Sequence, residues 1–159
     1  MAGRVNKKKG MLQTPIADDE ILYRCLFPGM DMYKFRPDGT LEITSQAFAD
    51  REDRRASVDR AKMRGNNPQH TLRDPMGGVV SVVAGAVRSI TNADITHNNR
   101  GGPFTVEVEH VPLPENNAHA EIYTIPPFTD ADKKNYRRLR IALAQLAEAR
   151  QCEIFPRSL

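Results

Sequence analysis

Short apolar stretches with a period of two alternate with aperiodic polar stretches along most of the chain, until a 3.6-residue pattern takes over near its end. Ile21-Leu22-Tyr23-Arg24-Cys25-Leu26-Phe27 is rich in strand formers and stops at Pro28-Gly29, which predicts a strand buried on both faces. Period two puts Arg24 on the side of Leu22 and Leu26, so its guanidinium needs a partner inside the fold. Pro37-Asp38-Gly39 is a turn signal, because proline presets its backbone angle and glycine accepts positive φ, and it leads into a short strand from Leu41 to Thr44. The β-branched run Val79-Val80-Ser81-Val82-Val83 predicts a central strand, the core of the sheet, running into a turn or short helix near Gly85. From Phe104 to His110 the alternation is clean, with Phe104, Val106 and Val108 inward and Thr105, Glu107 and Glu109 toward water. Ala118 to Ile125 alternates again until Pro126-Pro127, and the two segments predict a β-hairpin with an irregular connection.

The helical pattern follows. Thr129 is the expected N-cap, with Asp132 three residues on as a weaker form of the capping box. Tyr136, Leu139, Leu143, Leu146 and Ala147 make one apolar stripe, and Lys133, Lys134, Arg137, Arg138 and Arg140 carry the opposite surface. Residues 151–159 form a tail expected to return alongside a strand. Between these elements, Asp50 to Arg73 holds Arg51, Arg54, Arg55, Arg60, Lys62, Arg64 and Arg73 with few large apolar residues, and predicts a loop broken at most by a helical turn. Thr91 to Pro103 predicts another loop. The fold class is therefore α+β: a single domain over 19–159, with a mixed or antiparallel sheet, a β-hairpin near 104–125 and an amphipathic C-terminal helix packed on it. Residues 1–18 are expected to form a basic flexible tail.

Composition adds limits. The 159 residues, 40% apolar and 27% charged, suffice for one buried core without staples. The longest apolar run, Val79 to Ala84 with Ser81 inside it, falls far short of the roughly 20 residues a membrane helix needs. The net charge of +3 misleads: Arg4, Lys7, Lys8 and Lys9 supply four of the 23 basic residues, and without them the chain, with 20 acids, is about neutral. Cys25 and Cys152 are too few for a disulfide framework or a zinc site and read as reduced, buried thiols of an intracellular protein. Met11-Leu12-Gln13-Thr14-Pro15 lacks the features of a secretory signal, so the expected location is cytoplasmic.

The chemistry converges on the second strand of the hairpin. Period two sends His119, Glu121 and Tyr123 to one face, where a proton acceptor, a carboxylate and a phenol are the minimum set for acid–base work; these are the candidate catalytic residues. A solvent-facing strand also uses these residue types without any site. Candidate ligand-binding residues are Arg24, Ser45 in the Thr44-Ser45-Gln46 cluster, and Ser57 and Arg60 in Ser57-Val58-Asp59-Arg60, because forked guanidinium donors and hydroxyls suit phosphoryl oxygens. Arg54-Arg55-Ala56-Ser57-Val58 fits a basophilic kinase site. His70, His97, His110 and His119 lack the spacing of a zinc protease or finger, although His110 and His119 can meet across the hairpin beside Glu121. No metal and no cofactor is assigned: the chain has no phosphate-binding P-loop, no dinucleotide glycine fingerprint and no nucleophile elbow.

Leu22-Tyr23-Arg24 matches the signature of small helical mitochondrial assembly factors, but here it lies in a strand and not at the start of a three-helix chain. Together with Thr44-Ser45-Gln46-Ala47-Phe48, Ala56-Ser57-Val58, Gly78-Val79-Val80-Ser81 and the segment Glu115-Asn116-Asn117-Ala118-His119-Ala120-Glu121-Ile122, it resembles an uncharacterised family of small bacterial proteins, over residues 20–125. In motif order the chain is also similar to ADP-ribosyltransferase-like domains, which bind NAD. That resemblance implies Arg24 and Ser45 as ligand-binding residues and Glu109 or Glu107 as the catalytic carboxylate.

Three functional readings follow. The first is a small intracellular binding module whose basic loop and helix face engage a phosphorylated or nucleic-acid ligand, or a protein partner. An alternative is a small enzyme acting on a nucleotide or nucleic acid, ADP-ribosyltransferase-like or an acid–base hydrolase, using His119 and Glu121 with Arg24 as anion anchor. The last is a structural or assembly subunit, which would expose an apolar patch on the order of several hundred Å².

Overall fold

A computed structural model describes residues 5–6, 11–50, 52–97 and 100–158. The basic residues Arg4, Lys7, Lys8 and Lys9, and Arg51, lie outside the described residues. Val5–Asn6 (β1) pairs with Met11–Leu12 (β2). Ile21–Leu26 (β3), Ala56–Arg60 (β6), Gly78–Val83 (β7), Thr105–His110 (β8) and His119–Ile125 (β9) form one antiparallel sheet in the order β7-β3-β6-β9-β8. Tyr33–Phe35 (β4) and Leu41–Ile43 (β5) make a separate hairpin across the turn at Gly39. The helices are Ala84–Arg88 (α1), Asn92–Ile95 (α2) and Lys133–Arg150 (α3).

One face of the sheet carries the core. Leu22, Leu26, Ala56, Val58, Val80, Val82, Val106, Val108, Ala120 and Ile122 point to it, and α3 covers it with Leu139, Leu143, Ala144 and Ala147. Each buried leucine contributes roughly 1.5–3 kcal/mol, so this stripe alone fixes the helix to the sheet. Thr129 starts the preceding turn with both halves of the capping box formed by Asp132. The tail after α3 returns to the β7 edge, where the Val79 N–H donates to the Ile154 carbonyl at 3.0 Å and covers backbone that would otherwise be open.

Three expectations need correction. The segment from Asp50 to Arg73, expected to be a loop, contains β6, the middle strand of the sheet. Its inward set is only Ala56 and Val58 with Arg60 at the end, too small to register as an apolar run, and its many charges conceal the alternation. The valine-rich β7, expected at the centre, is an edge strand, because α3 and the returning tail bury it instead of a second neighbouring strand. The body also begins before residue 19. Ile16 is buried, and Thr14 and Pro15 are bonded to Arg60, so this part of the expected flexible tail is strapped against the end of the core.

Candidate functional site

The sheet face turned away from α3 is polar, and antiparallel register sets its rows. Tyr23 on β3 lies opposite Asp59 on β6, which lies opposite His119 on β9. In the next row Ser57 lies opposite Glu121, which lies opposite Glu109 on β8. Tyr123 and Glu107 follow. Thus His119, Glu121 and Tyr123 share a face, each half-buried, but they belong to two different clusters.

One cluster is an ion network. Arg55 donates from Nε to Glu121 Oε1 at 2.6 Å and from a terminal nitrogen to Glu109, with its guanidinium 4.2 Å from the centroid of the Tyr123 ring. Without that cation, two carboxylates facing each other across adjacent strands would repel. Tyr123 and most of Glu121 therefore serve this arrangement.

The other cluster is a serine–histidine pair. His119 Nδ1 lies 2.8 Å from the Val111 carbonyl oxygen, which can only accept, so Nδ1 carries the proton. In the neutral ring Nε2 is then a lone pair, and it lies 3.1 Å from Ser57 Oγ, placed to receive the hydroxyl hydrogen. Glu121 Oε2 stands 4.0 Å from the same nitrogen. The backbone under Ser57 is held by Arg24, which donates to the Ser57 carbonyl at 2.7 Å.

Beside this pair, Asp59 is buried and accepts from Asn116 Nδ2 at 2.8 Å, Thr71 Oγ1 at 2.8 Å and Arg64 Nε at 3.1 Å. These bonds tie the connection before β9 and the segment after β6 to the sheet. Between them opens a cleft of about 160 Å³, whose lining includes Tyr23, Cys25, Ser57, Arg73 and His119. Arg73 is exposed and forms no ion pair among the described residues. Burial pushes the Cys25 thiol up, against N–H donors from residues 73 and 74 and the charges of Arg73 and Arg24. Cys25 is thus a protonated, weakly reactive group at neutral pH. Burial likewise raises the Tyr23 phenol, with the nearby Glu153 charge acting in the same sense.

Of the other expected ligand-binding residues, Arg24 also borders this cleft, whereas Arg60 and Ser45 lie elsewhere. Arg24 commits all three of its guanidinium nitrogens to the carbonyls of Ala47 at 2.7 Å, Ala49 at 3.1 Å and Ser57, so it pins the Ser45–Phe48 turn to β6. Arg60 is 1% exposed; Glu20 takes two of its N–H groups at 2.9 and 2.8 Å, and Thr14 and Pro15 take the rest. It is a structural cation. Ser45 lies in a separate open groove of about 740 Å³ along α3, on the far side of the sheet from Ser57. Glu109 and Glu107 hold Arg55 and Arg88, also away from Ser45. His110 faces the core and His119 the opposite side, so the pair does not meet, and among the described residues no cluster of metal-ligating side chains is present. The arginines of the expected basic loop are largely paired: Arg54 with Asp130, Arg55 with Glu109 and Glu121, Arg60 with Glu20, and Arg64 with Asp59. No helix among the described residues is long and apolar enough to cross a membrane.

Sequence reasoning named Arg24, Ser57 and His119 but missed Tyr23, Cys25, Asp59, Thr71, Arg73 and Asn116. The signal was the strand: once 56–60 is read with period two, Ser57 and Asp59 share a face, and their antiparallel partners follow. Comparison with family models, curated proteins and solved structures finds no match to this chain.

Proposed function

We propose that this chain binds a small ligand bearing an anionic group, such as a phosphate or carboxylate, in the cleft over β3, β6 and β9. The observation that carries the reading is the oriented Ser57–His119 pair opening into a cleft that Arg73 also lines. Arg73 offers forked donors without a competing carboxylate, and its charge reaches the cleft wall, where Cys25 responds to it. A hydroxyl and an imidazole beside it supply the few convergent polar groups that orient a ligand. At about 160 Å³ the cleft suits one small head group. A nucleic-acid ligand is disfavoured because the loop arginines are already paired and Glu107, Glu109 and Glu121 line the neighbouring strands.

The test is an NMR titration of the folded protein with inorganic phosphate and with acetate, following the His119 imidazole and the Arg73 Nε–H. Saturable shifts of both signals, weakened at least tenfold in Arg73→Gln, are expected. Titrations that move neither signal, or an affinity unchanged in Arg73→Gln, overturn the reading.

A further inference from the structure

We infer that Ser57 is a nucleophile and that the cleft hydrolyses a small carboxylic ester whose remainder carries the anionic group. This rests on the ligand-binding reading above and names its substrate class. The cleft holds two groups that can attack carbon, Cys25 and Ser57, and their surroundings separate them. The Cys25 thiol is held protonated by burial. Ser57 Oγ lies 3.1 Å from His119 Nε2, the nitrogen left basic by the Val111 carbonyl. A nucleophile, a base within hydrogen-bond reach and a third group that fixes the base are the three parts that acyl transfer requires. Here the third group is a backbone carbonyl, which fixes the ring orientation, while Glu121 at 4.0 Å supplies the negative charge that an imidazolium needs.

The remaining walls suit an acyl group. Phe27 and Cys25 give the cleft an apolar side, and its volume accepts a short acyl chain. Arg73, the exposed one of the two arginines lining the cleft, is available to the anionic part of the ligand and to charge developing on the carbonyl oxygen. In the first step the Ser57 oxygen bonds to the carbonyl carbon and its proton passes to His119 Nε2. The ester carbon–oxygen bond then breaks, and the departing alkoxide takes that proton and leaves as the alcohol. In the second step water attacks the acyl carbon, His119 takes the water's proton, the bond to Ser57 breaks, and the proton returns to Oγ. The sum is ester plus water giving acid plus alcohol, with no other reactant.

The experiment uses p-nitrophenyl acetate with the full chain. A burst of p-nitrophenolate equal to the protein concentration is expected, and an acid quench followed by peptide mapping should place one acetyl group on Ser57. The burst is expected to disappear in Ser57→Ala and to slow by at least about a hundredfold in His119→Gln, the lower end of what a positioned general base contributes. Ser57→Cys should restore a burst through its thiolate. Acetyl groups found only on lysines, or Ser57 acetylation at the same rate in His119→Gln, overturn the inference. A native-like NMR spectrum shows that Ser57→Ala is folded, and phosphate binding is read on the unsubstituted protein: binding without a burst overturns this inference alone, whereas absence of binding overturns the reading it rests on.

Discussion

Replacing Glu20 by Gln should remove between about a fifth and three-fifths of this domain's stability, although the change removes only one charge. Arg60 is 1% exposed and Glu20 7% exposed, and the two share a pair of hydrogen bonds at 2.9 and 2.8 Å inside the end of the core. The amide retains the shape of the acid but leaves the guanidinium with only Thr14, the Pro15 carbonyl and a neutral neighbour. Breaking a buried pair in this way typically costs about 3–5 kcal/mol, because the remaining charge has no counterpart and no water. Folded domains of this size are stable by about 8–15 kcal/mol. With a slope of about 2–3 kcal/mol per molar urea, the unfolding midpoint should drop by about 1–2.5 M at unchanged slope. The double substitution Glu20→Leu with Arg60→Met removes both charges, and its loss should be smaller than that of Glu20→Gln. It is then confined to the acceptors on Thr14 and Pro15 that lose a donor and the Ala17 N–H that loses its acceptor, about 1 kcal/mol each. A single substitution costing under about 1 kcal/mol, or a double variant less stable than the single, would refute the assignment of Arg60 as a buried cation balanced by Glu20.

The same end of the core should respond to acid. His110 Nδ1 accepts the Thr14 N–H at 3.1 Å and Nε2 lies 2.6 Å from the Asn117 carbonyl, so the neutral ring fits both partners; burial and the Arg60 charge pull its pKa below 6.5, against the Asn117 bond and Glu20. A base depressed in the folded state gives full stability above 6.5 that is lost as the pH falls toward the lower folded value, and urea midpoints across that window should be flat in His110→Gln. Arg55→Ala should leave Glu109 and Glu121 facing each other and cost about 1–2 kcal/mol, with part of the loss recovered in high salt; a thermal midpoint equally depressed at both salt levels argues against repulsion as the cause. A Cβ at Gly78 would stand 2.5 Å from the Ile154 carbonyl oxygen, so Gly78→Ala should lift the C-terminal tail off β7 at a cost of about 1–3 kcal/mol, read as faster hydrogen exchange at the Ile154 and Glu153 amides.

Elements whose period is carried by large residues were legible in the chain. The hairpin of β8 and β9 places its valines and isoleucine on one face and its acids on the other, and α3 repeats its leucines at helical spacing, so both followed from pattern alone. The middle strand β6 was not, for a physical reason. It is short, its inward residues are small, and the charges around it look like solvated loop until their partners are known. Those partners, Glu20, Glu109 and Glu121, are distant in the chain, and no local pattern announces them. Half of the candidate site was hidden with the strand: His119 was visible in β9, whereas Asp59, Thr71 and Arg73 acquire meaning only when β6 lies beside β3 and β9.

How the arginines are partnered carries the argument further than the net charge does. Arg24, Arg55, Arg60, Arg64 and Arg88 each meet carboxylates or carbonyls within the fold, so a count of positive residues along the chain measured the internal demands of the scaffold and not its affinity for polyanions. A guanidinium already satisfied this way can bind a ligand only by giving up a charge-assisted bond, which costs more than a surface contact returns. Arg73 differs on both counts: it is exposed without an ion pair among the described residues, and it borders the one serine that has an imidazole directed at it. Affinity for a small anion should accordingly vanish with Arg73 and survive the loss of Arg24 only if the Ser45–Phe48 turn remains docked on β6, since Arg24, at the border of the cleft, holds both that turn and the backbone of Ser57.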